Sequence, residues 1–311
     1  MRRFLIGSSK VLAVLLGLAL LGATYESVSE AADARAYPPP GQMVDVGGYR
    51  LHINCVGAGS PTVVIESGLG DWSASWSNAV QPGAAKTTRV CTYDRAGMGF
   101  SEPGPMPRTA ARFAEELHTL LQRADIPGPY VLAGHSLGGY TARLFAAAYP
   151  ADVAGVVLID STTSGAGAQG QASTSRGWSQ VATLPARIGL QRLLAGPMDL
   201  KAGLAPVIAG GYVANSVTPR STQTGLDEFL GASEGGAQAA AVTNLGELPL
   251  IVLSRAPNRD PEWDRKQTGL LDLSSNSHQL FAEHSGHNIQ LEEPEAAVNA
   301  LVQMVEQVRA S

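Results

Sequence analysis

The turn Gly134-His135-Ser136-Leu137-Gly138-Gly139 leaves this chain few folds to choose from. It follows directly on PYVLAG (129–134), a short apolar run of strand type, and opens into an alanine-rich helical segment over 137–149. A strand that feeds a helix through so short a turn strains the backbone at Ser136. Small neighbours are needed there so that the incoming strand and outgoing helix do not clash. The same turn lifts the hydroxyl above the sheet edge. It also sets the following N–H groups at a helix N-terminus, where negative charge is favoured.

The rest of the chain keeps this rhythm. Short runs of strand type occur at 43–48, 49–57, 62–68, 89–94, 153–160, 249–254 and 278–283. The first two are joined by a Gly-Gly turn and predict a hairpin. Phe113, Leu117, Leu120 and Leu121 recur at helical spacing within 109–125, and an amphipathic helix opened by Pro294 closes the chain over 295–308. Strands alternating with helices predict an α/β fold, a mostly parallel sheet covered by helices on both faces. Residues 161–246 break the pattern. They are rich in Gly, Ala, Ser, Thr and Gln and hold no convincing strand. A stretch of that length is too long for a loop in a compact domain. It reads as an inserted, mainly helical cap with weak helices over 178–194 and 227–243. The core is then 43–160 together with 247–311.

The N-terminal residues are of another kind. Arg2, Arg3 and Lys10 precede an uninterrupted apolar run over 11–22, the pattern of an export signal. Small-x-small patterns suited to cleavage stand at Ser29-Glu30-Ala31 and at Ala32-Asp33-Ala34. Residues 1–35 are therefore expected to be either a removed signal peptide or a retained membrane anchor, with the remainder of the chain extracytoplasmic. A proline-rich linker, 36–42, follows. Hydrophobic residues make up 44% of the 311, enough for a sizeable core. The net charge of −5 argues against nucleic acid as a partner. Membrane association through the N-terminal helix is the partner expectation that remains, besides a small-molecule substrate.

A serine hydroxyl is a weak nucleophile at neutral pH and needs a base. Of the six histidines, His52 falls on an early strand, His118 on a helix face, and His135 within the turn, its side chain expected to point elsewhere. His287, in Ser285-Gly286-His287, lies just past the last strand and ahead of the closing helix. A loop there shares the carboxyl edge of the sheet with Ser136. His287 is thus the candidate base, with His284 the alternative. These two histidines alone lack the further ligands of a metal site, and no metal or organic cofactor is expected.

Taken in order, SGLG (67–70), YDRAGMGFS (93–101), GHSLGG (134–139), VVLID (156–160) and SGH (285–287) resemble the α/β-hydrolase superfamily, in its serine esterase/lipase-like branch, over nearly all of 43–308. The resemblance implies the α/β-hydrolase fold with an eight-stranded sheet. It implies a serine hydrolase that cleaves carboxylic esters or related acyl substrates through an acyl-enzyme, with Ser136 as nucleophile and His287 as base. It further implies an oxyanion hole whose first donor follows the third strand. Ser67 stands where the family usually has a histidine, and the backbone N–H groups of Leu69 and Leu137 carry the role. The family takes its triad acid either from the end of strand six, here Asp160, or from the loop after strand seven, here Asp260; Asp160 is favoured. Cys55 and Cys91 fall on strands two and four, which are neighbours in this fold. An exported compartment would permit a disulfide between them.

Other members of the fold use similar triads as perhydrolases, peptidases or C–C hydrolases, and a non-catalytic ligand-binding member is a further alternative. Asp94 and Arg95 read either as a substrate contact or, preferably, as a structural pair. Trp72, Trp76 and Trp178 read as an acyl site or, preferably, as core.

Overall fold

The computed structural model describes residues 2–163, 181–195, 203–256 and 260–311. Among these, eight strands form one sheet: β1 (Gln42–Asp45), β2 (Arg50–Val56), β3 (Thr62–Glu66), β4 (Val90–Tyr93), β5 (Tyr130–His135), β6 (Val153–Ile159), β7 (Leu250–Arg255) and β8 (Ser277–Ala282). Their order is β1-β2-β4-β3-β5-β6-β7-β8. The β1–β2 and β2–β4 pairings are antiparallel. All others are parallel. The longer helices are α1 (Arg2–Ala36), α2 (Ala110–Arg123), α3 (Gly138–Ala148), α4 (Pro206–Ser216), α5 (Pro219–Ala240), α6 (Pro261–Gly269) and α7 (Pro294–Ala310).

The central strands read as continuous apolar runs because both faces of the sheet are buried. Side chains alternate between the faces with period two. Val64, Leu132, Leu158 and Val252 face one core, which α2 fills with Leu117, Leu120 and Leu121, and α3 with Phe145. Val63, Val131, Val157 and Ile251 face the other, which α7 fills with Leu301, Met304 and Val305. Full burial of each such side chain contributes about 1.5–3 kcal/mol. Trp72 (2% exposed) and Trp76 (0%) are core residues. Trp178 lies outside the described residues.

Cys55 and Cys91 stand opposite one another in the β2–β4 register and are joined by a disulfide. The bond ties residues 36 positions apart, a constraint on the unfolded chain of about 3–4 kcal/mol in the loop-entropy account.

Helices α4 and α5, with short turns at Leu184–Arg187 and Leu190–Leu194, lie between β6 and β7 in the chain. Helix α5 begins eight residues before the stretch expected from composition. Thr218 caps it by accepting the Ser221 N–H, and Pro219 occupies its first turn. Helix α4, PVIAGGYVANS, carries no polar face and gave no helical period. Helix α6 was likewise unforeseen, although Asp260 caps it and Pro261 opens it.

Candidate active site

Two strained residues mark one edge of the sheet. Ser136 (φ 50°) follows β5 and Asp160 (φ 40°) follows β6. Positive φ in non-glycine residues costs of order 1–3 kcal/mol and persists where the surroundings enforce it. Here they do. The Ser136 N–H donates to the Ile159 carbonyl at 3.2 Å, and the Ser136 carbonyl accepts from the Thr162 N–H at 3.0 Å. A Cβ on Gly134 would run into the backbone of Gly138, and one on Gly138 into the carbonyls of Glu66 and Ser67. Only glycine lets β5, α3 and the loop after β3 come this close.

The loop after β8 brings His287 over this edge. Its Nε2 lies 3.0 Å from Ser136 Oγ, and its Nδ1 lies 2.5 Å from Asp160 Oδ2. Asp160 is fully buried. Its other oxygen accepts from the Trp263 indole N–H at 2.8 Å and the Arg255 N–H at 3.2 Å. Asp260 is turned to α6, where it accepts the N–H groups of Glu262 and Trp263. His284 uses its backbone N–H on Glu293 and does not join the cluster.

Neither the Leu69 nor the Leu137 N–H has a partner among the described residues. Both flank Ser136: Leu137 follows it in the chain, and Gly68, next to Leu69, packs against the Ser136 side chain. A cavity of about 460 Å³ opens over the serine and is lined by Gly68, Leu69, Gly70, Asp71, Tyr212, His287 and neighbouring residues.

Sequence reasoning missed three contributors. The first is His135. Its Nε2 lies 2.9 Å from the His287 carbonyl. Burial, and then the neighbouring His287, pull its pKa down to about 4. It is neutral at pH 7, and because a carbonyl only accepts, the proton sits on Nε2. The unfolded chain takes up this proton near pH 6.5, before the folded one can. Stability held above that pH is therefore lost as pH falls toward 4, by up to about 3 kcal/mol. His135→Gln keeps an N–H for the carbonyl but cannot charge. Its melting temperature is expected to fall less steeply between pH 6.5 and 4 than that of the parent; equal acid limbs would contradict this.

Trp263, which holds the second oxygen of Asp160, is the second contributor. Arg255 stacks its guanidinium over that indole at 4.8 Å.

The third is Glu228 of α5, fully buried and 158 residues from the Gly70 N–H that it accepts at 3.0 Å. It also takes two N–H groups of Arg95, at 2.7 and 2.9 Å. Arg95 spends its other donors on Glu66, on the Ser67 carbonyl and on the Gly68 carbonyl, at 2.7, 2.6 and 2.6 Å. All five guanidinium donors are thus satisfied, and the loop 67–70 is held from below by Arg95 and from α5 by Glu228. Burial pushes the Glu66 carboxyl up, against the pull of Arg95. Asp94 is equally structural. Its carboxylate holds His52 at 2.8 Å and the Ser73 and Phe100 N–H groups at 2.9 and 3.0 Å. Glu228→Ala breaks one of the two buried ion pairs of Arg95, leaving Glu66, and takes the acceptor from the Gly70 N–H; it is expected to cost about 3–5 kcal/mol in urea unfolding. Glu228→Gln, which keeps an acceptor for Gly70, is expected to lose less. A neutral alanine variant would mean that the network does not brace the loop.

A family profile described as alpha/beta hydrolase fold matches residues 61–183. An uncharacterized protein of Schizosaccharomyces pombe is 30% identical over 182 residues, covering 49% of this chain and 34% of its own length. The chain thus spans about a third of that relative. The uncharacterized protein YqjL of Bacillus subtilis is 27% identical over 243 residues, covering 76% of this chain and 81% of its own. Among solved structures, the epoxide hydrolase CorEH superposes with a TM-score of 0.68 at 18% identity, over 86% of this chain and 99% of its own. A thermophilic esterase from Thermogutta terrifontis gives 0.63 at 20% identity, over 86% and 98%. At such identities the structural likeness speaks for the fold alone.

Proposed function

The chain belongs to the α/β-hydrolase superfamily, and on that premise we propose that it is an exported serine hydrolase acting on neutral carboxylic esters. The observation that carries the reading is the unbroken relay Ser136 Oγ, His287 Nε2, His287 Nδ1, Asp160 Oδ2, at 3.0 and 2.5 Å. The N–H groups of Leu69 and Leu137, without a partner among the described residues, complete the arrangement beside its nucleophile.

In this reading His287 carries its proton on Nδ1, facing Asp160, and leaves Nε2 free as base. Ser136 Oγ attacks the ester carbonyl carbon while its proton passes to Nε2. The C=O electron pair moves onto oxygen, and the oxyanion is held by Leu69 and Leu137. Two such donors contribute several kcal/mol of barrier lowering. The C–O bond to the alcohol then breaks, and His287 returns the proton to the leaving oxygen. Water attacks the acyl-serine by the same route and releases the acid. Asp160 stabilises the imidazolium formed in each half-reaction.

The cavity supports the restriction to neutral esters. Its described lining holds one carboxyl, Asp71, and neither lysine nor arginine. A carboxylate near the scissile bond would be desolvated beside Asp71 with no cation in the described lining to meet it. A panel of p-nitrophenyl esters tests this. Neutral acyl groups are expected to turn over, with acid quench trapping acyl groups on the protein. The anionic hemisuccinate is expected to have a kcat/KM at least about tenfold lower. Absence of turnover on every ester, or preference for the hemisuccinate, would contradict the reading. The apolar N-terminal helix and the disulfide support export.

A further inference from the structure

Helix α1 has two halves with different surroundings. In its outer half Val11, Leu12, Val14, Leu15, Leu16, Leu18, Leu20 and Leu21 are each more than half exposed. In its inner half one stripe is taken up by the folded domain. Gly22 lies so close to the Ile188 carbonyl that no Cβ would fit, and the Tyr25 ring lies against Gly189. Glu26 is 3% exposed and accepts Nε and Nη2 of Arg192 at 2.9 and 2.8 Å. Asp33 takes Nη1 of the same guanidinium at 2.5 Å. Just past the helix, Tyr37 packs on Gly210 and Gly211 of α4. Positions 22, 26 and 33 lie on one helical face. This is a built interface.

We infer that α1 is retained in the mature protein as a membrane anchor, its outer half in the bilayer and its inner half clasped by Arg192 to the helices between β6 and β7. The partner of the outer half is the lipid bilayer. From Phe4 to Leu21 the sequence supplies a stretch of about 27 Å at helical rise, close to the ~30 Å of a hydrocarbon core. Lys10 within it can reach the headgroups along its own stem, and Arg2 and Arg3 precede it. An apolar surface this continuous is not left to water in a soluble protein.

Cleavage argues the same way. A cut after Ala31 or after Ala34 removes Glu26 from Arg192, and the second removes Asp33 as well. Arg192 is 12% exposed with α1 in place, so cleavage gives up its buried ion pair with Glu26 and uncovers the face of the helices that α1 covers. The clasp also fixes where the membrane lies. Helix α4, which receives Tyr37, carries Tyr212 into the lining of the cavity over Ser136. The bilayer surface therefore stands beside Ile188 and Gly189, where the helix leaves the hydrocarbon core, and Tyr37 lies 16 residues, about 24 Å at helical rise, beyond it.

Neither readout of the test uses turnover, so its failure is separate from any failure of the hydrolase reading. The full chain with a C-terminal tag is produced in a bacterial host, and its membranes are washed with alkaline carbonate, extracted in detergent and measured by intact mass and N-terminal sequencing. The expected result is a carbonate-resistant protein with α1 intact. Release by carbonate, or an N-terminus at Ala32 or Arg35, overturns the proposal. In detergent, Arg192→Ala is expected to speed tryptic cleavage after the exposed Arg35 by about tenfold or more, with Arg192→Lys intermediate. Equal rates for parent and alanine variant overturn the clasp.

Discussion

Ser136→Ala is expected to lower kcat for a neutral p-nitrophenyl ester by about 10⁵- to 10⁶-fold, the range seen when a triad serine is removed. Among the described residues Ser136 Oγ is the hydroxyl held against His287 Nε2, placed there by the positive φ and the closeness of β3, β5 and α3. In the proposed mechanism the residual rate is that of the oxyanion donors and binding alone. The variant is expected to fold as the parent does. The clamping hydrogen bonds at position 136 are made by its backbone, and alanine meets the same φ strain as serine. An unchanged melting temperature with lost turnover is the expected pair of results. Turnover within about a hundredfold of the parent would mean that Ser136 is not the nucleophile.

The second large effect concerns the acid. Asp160→Asn is expected to lower kcat by about 10³- to 10⁴-fold, whereas Asp260→Asn is expected to change it by less than about threefold. The difference follows from their surroundings. Asp160 is enclosed, and with Trp263 and the Arg255 N–H on its other oxygen it has one orientation toward His287. An amide in that place would offer an N–H to Nδ1, push the ring to the wrong tautomer and leave Nε2 protonated against the serine. Asp260 is half exposed and caps α6, a role asparagine fills as well. The opposite ranking in measured kcat would transfer the acid role to Asp260.

How much of this was legible differs from element to element. The strands were readable because burial on both faces writes them as β-branched apolar runs; TVVIE is fully buried along its length. The turn at Ser136 was readable because three contacts in one place demand glycine. His287 could be singled out from its position after the last strand. Asp160 was favoured over Asp260 on the family resemblance alone, since both follow parallel strands at the same edge. What separates them is which carboxylate reaches the imidazole, a matter of strand spacing and loop path that no local pattern records. Glu228 was invisible for the same reason: its partners are Gly70 and Arg95, more than a hundred residues away, and in its own segment it reads as one more solvated helical charge. His135 was expected to point away from the site, yet its ring supports the His287 backbone. The start of α6 did carry a local signal, Asp260-Pro261, which the periodicity of the segment did not bring out.

The most direct test of the central claim is covalent labelling. The purified chain is treated with a fluorophosphonate probe, digested and mapped by mass spectrometry. One phosphonyl group per chain, on the peptide containing Ser136, and none in Ser136→Ala, is the expected result. A protein that stays unlabelled while folded, or one labelled equally with alanine at 136, would contradict it.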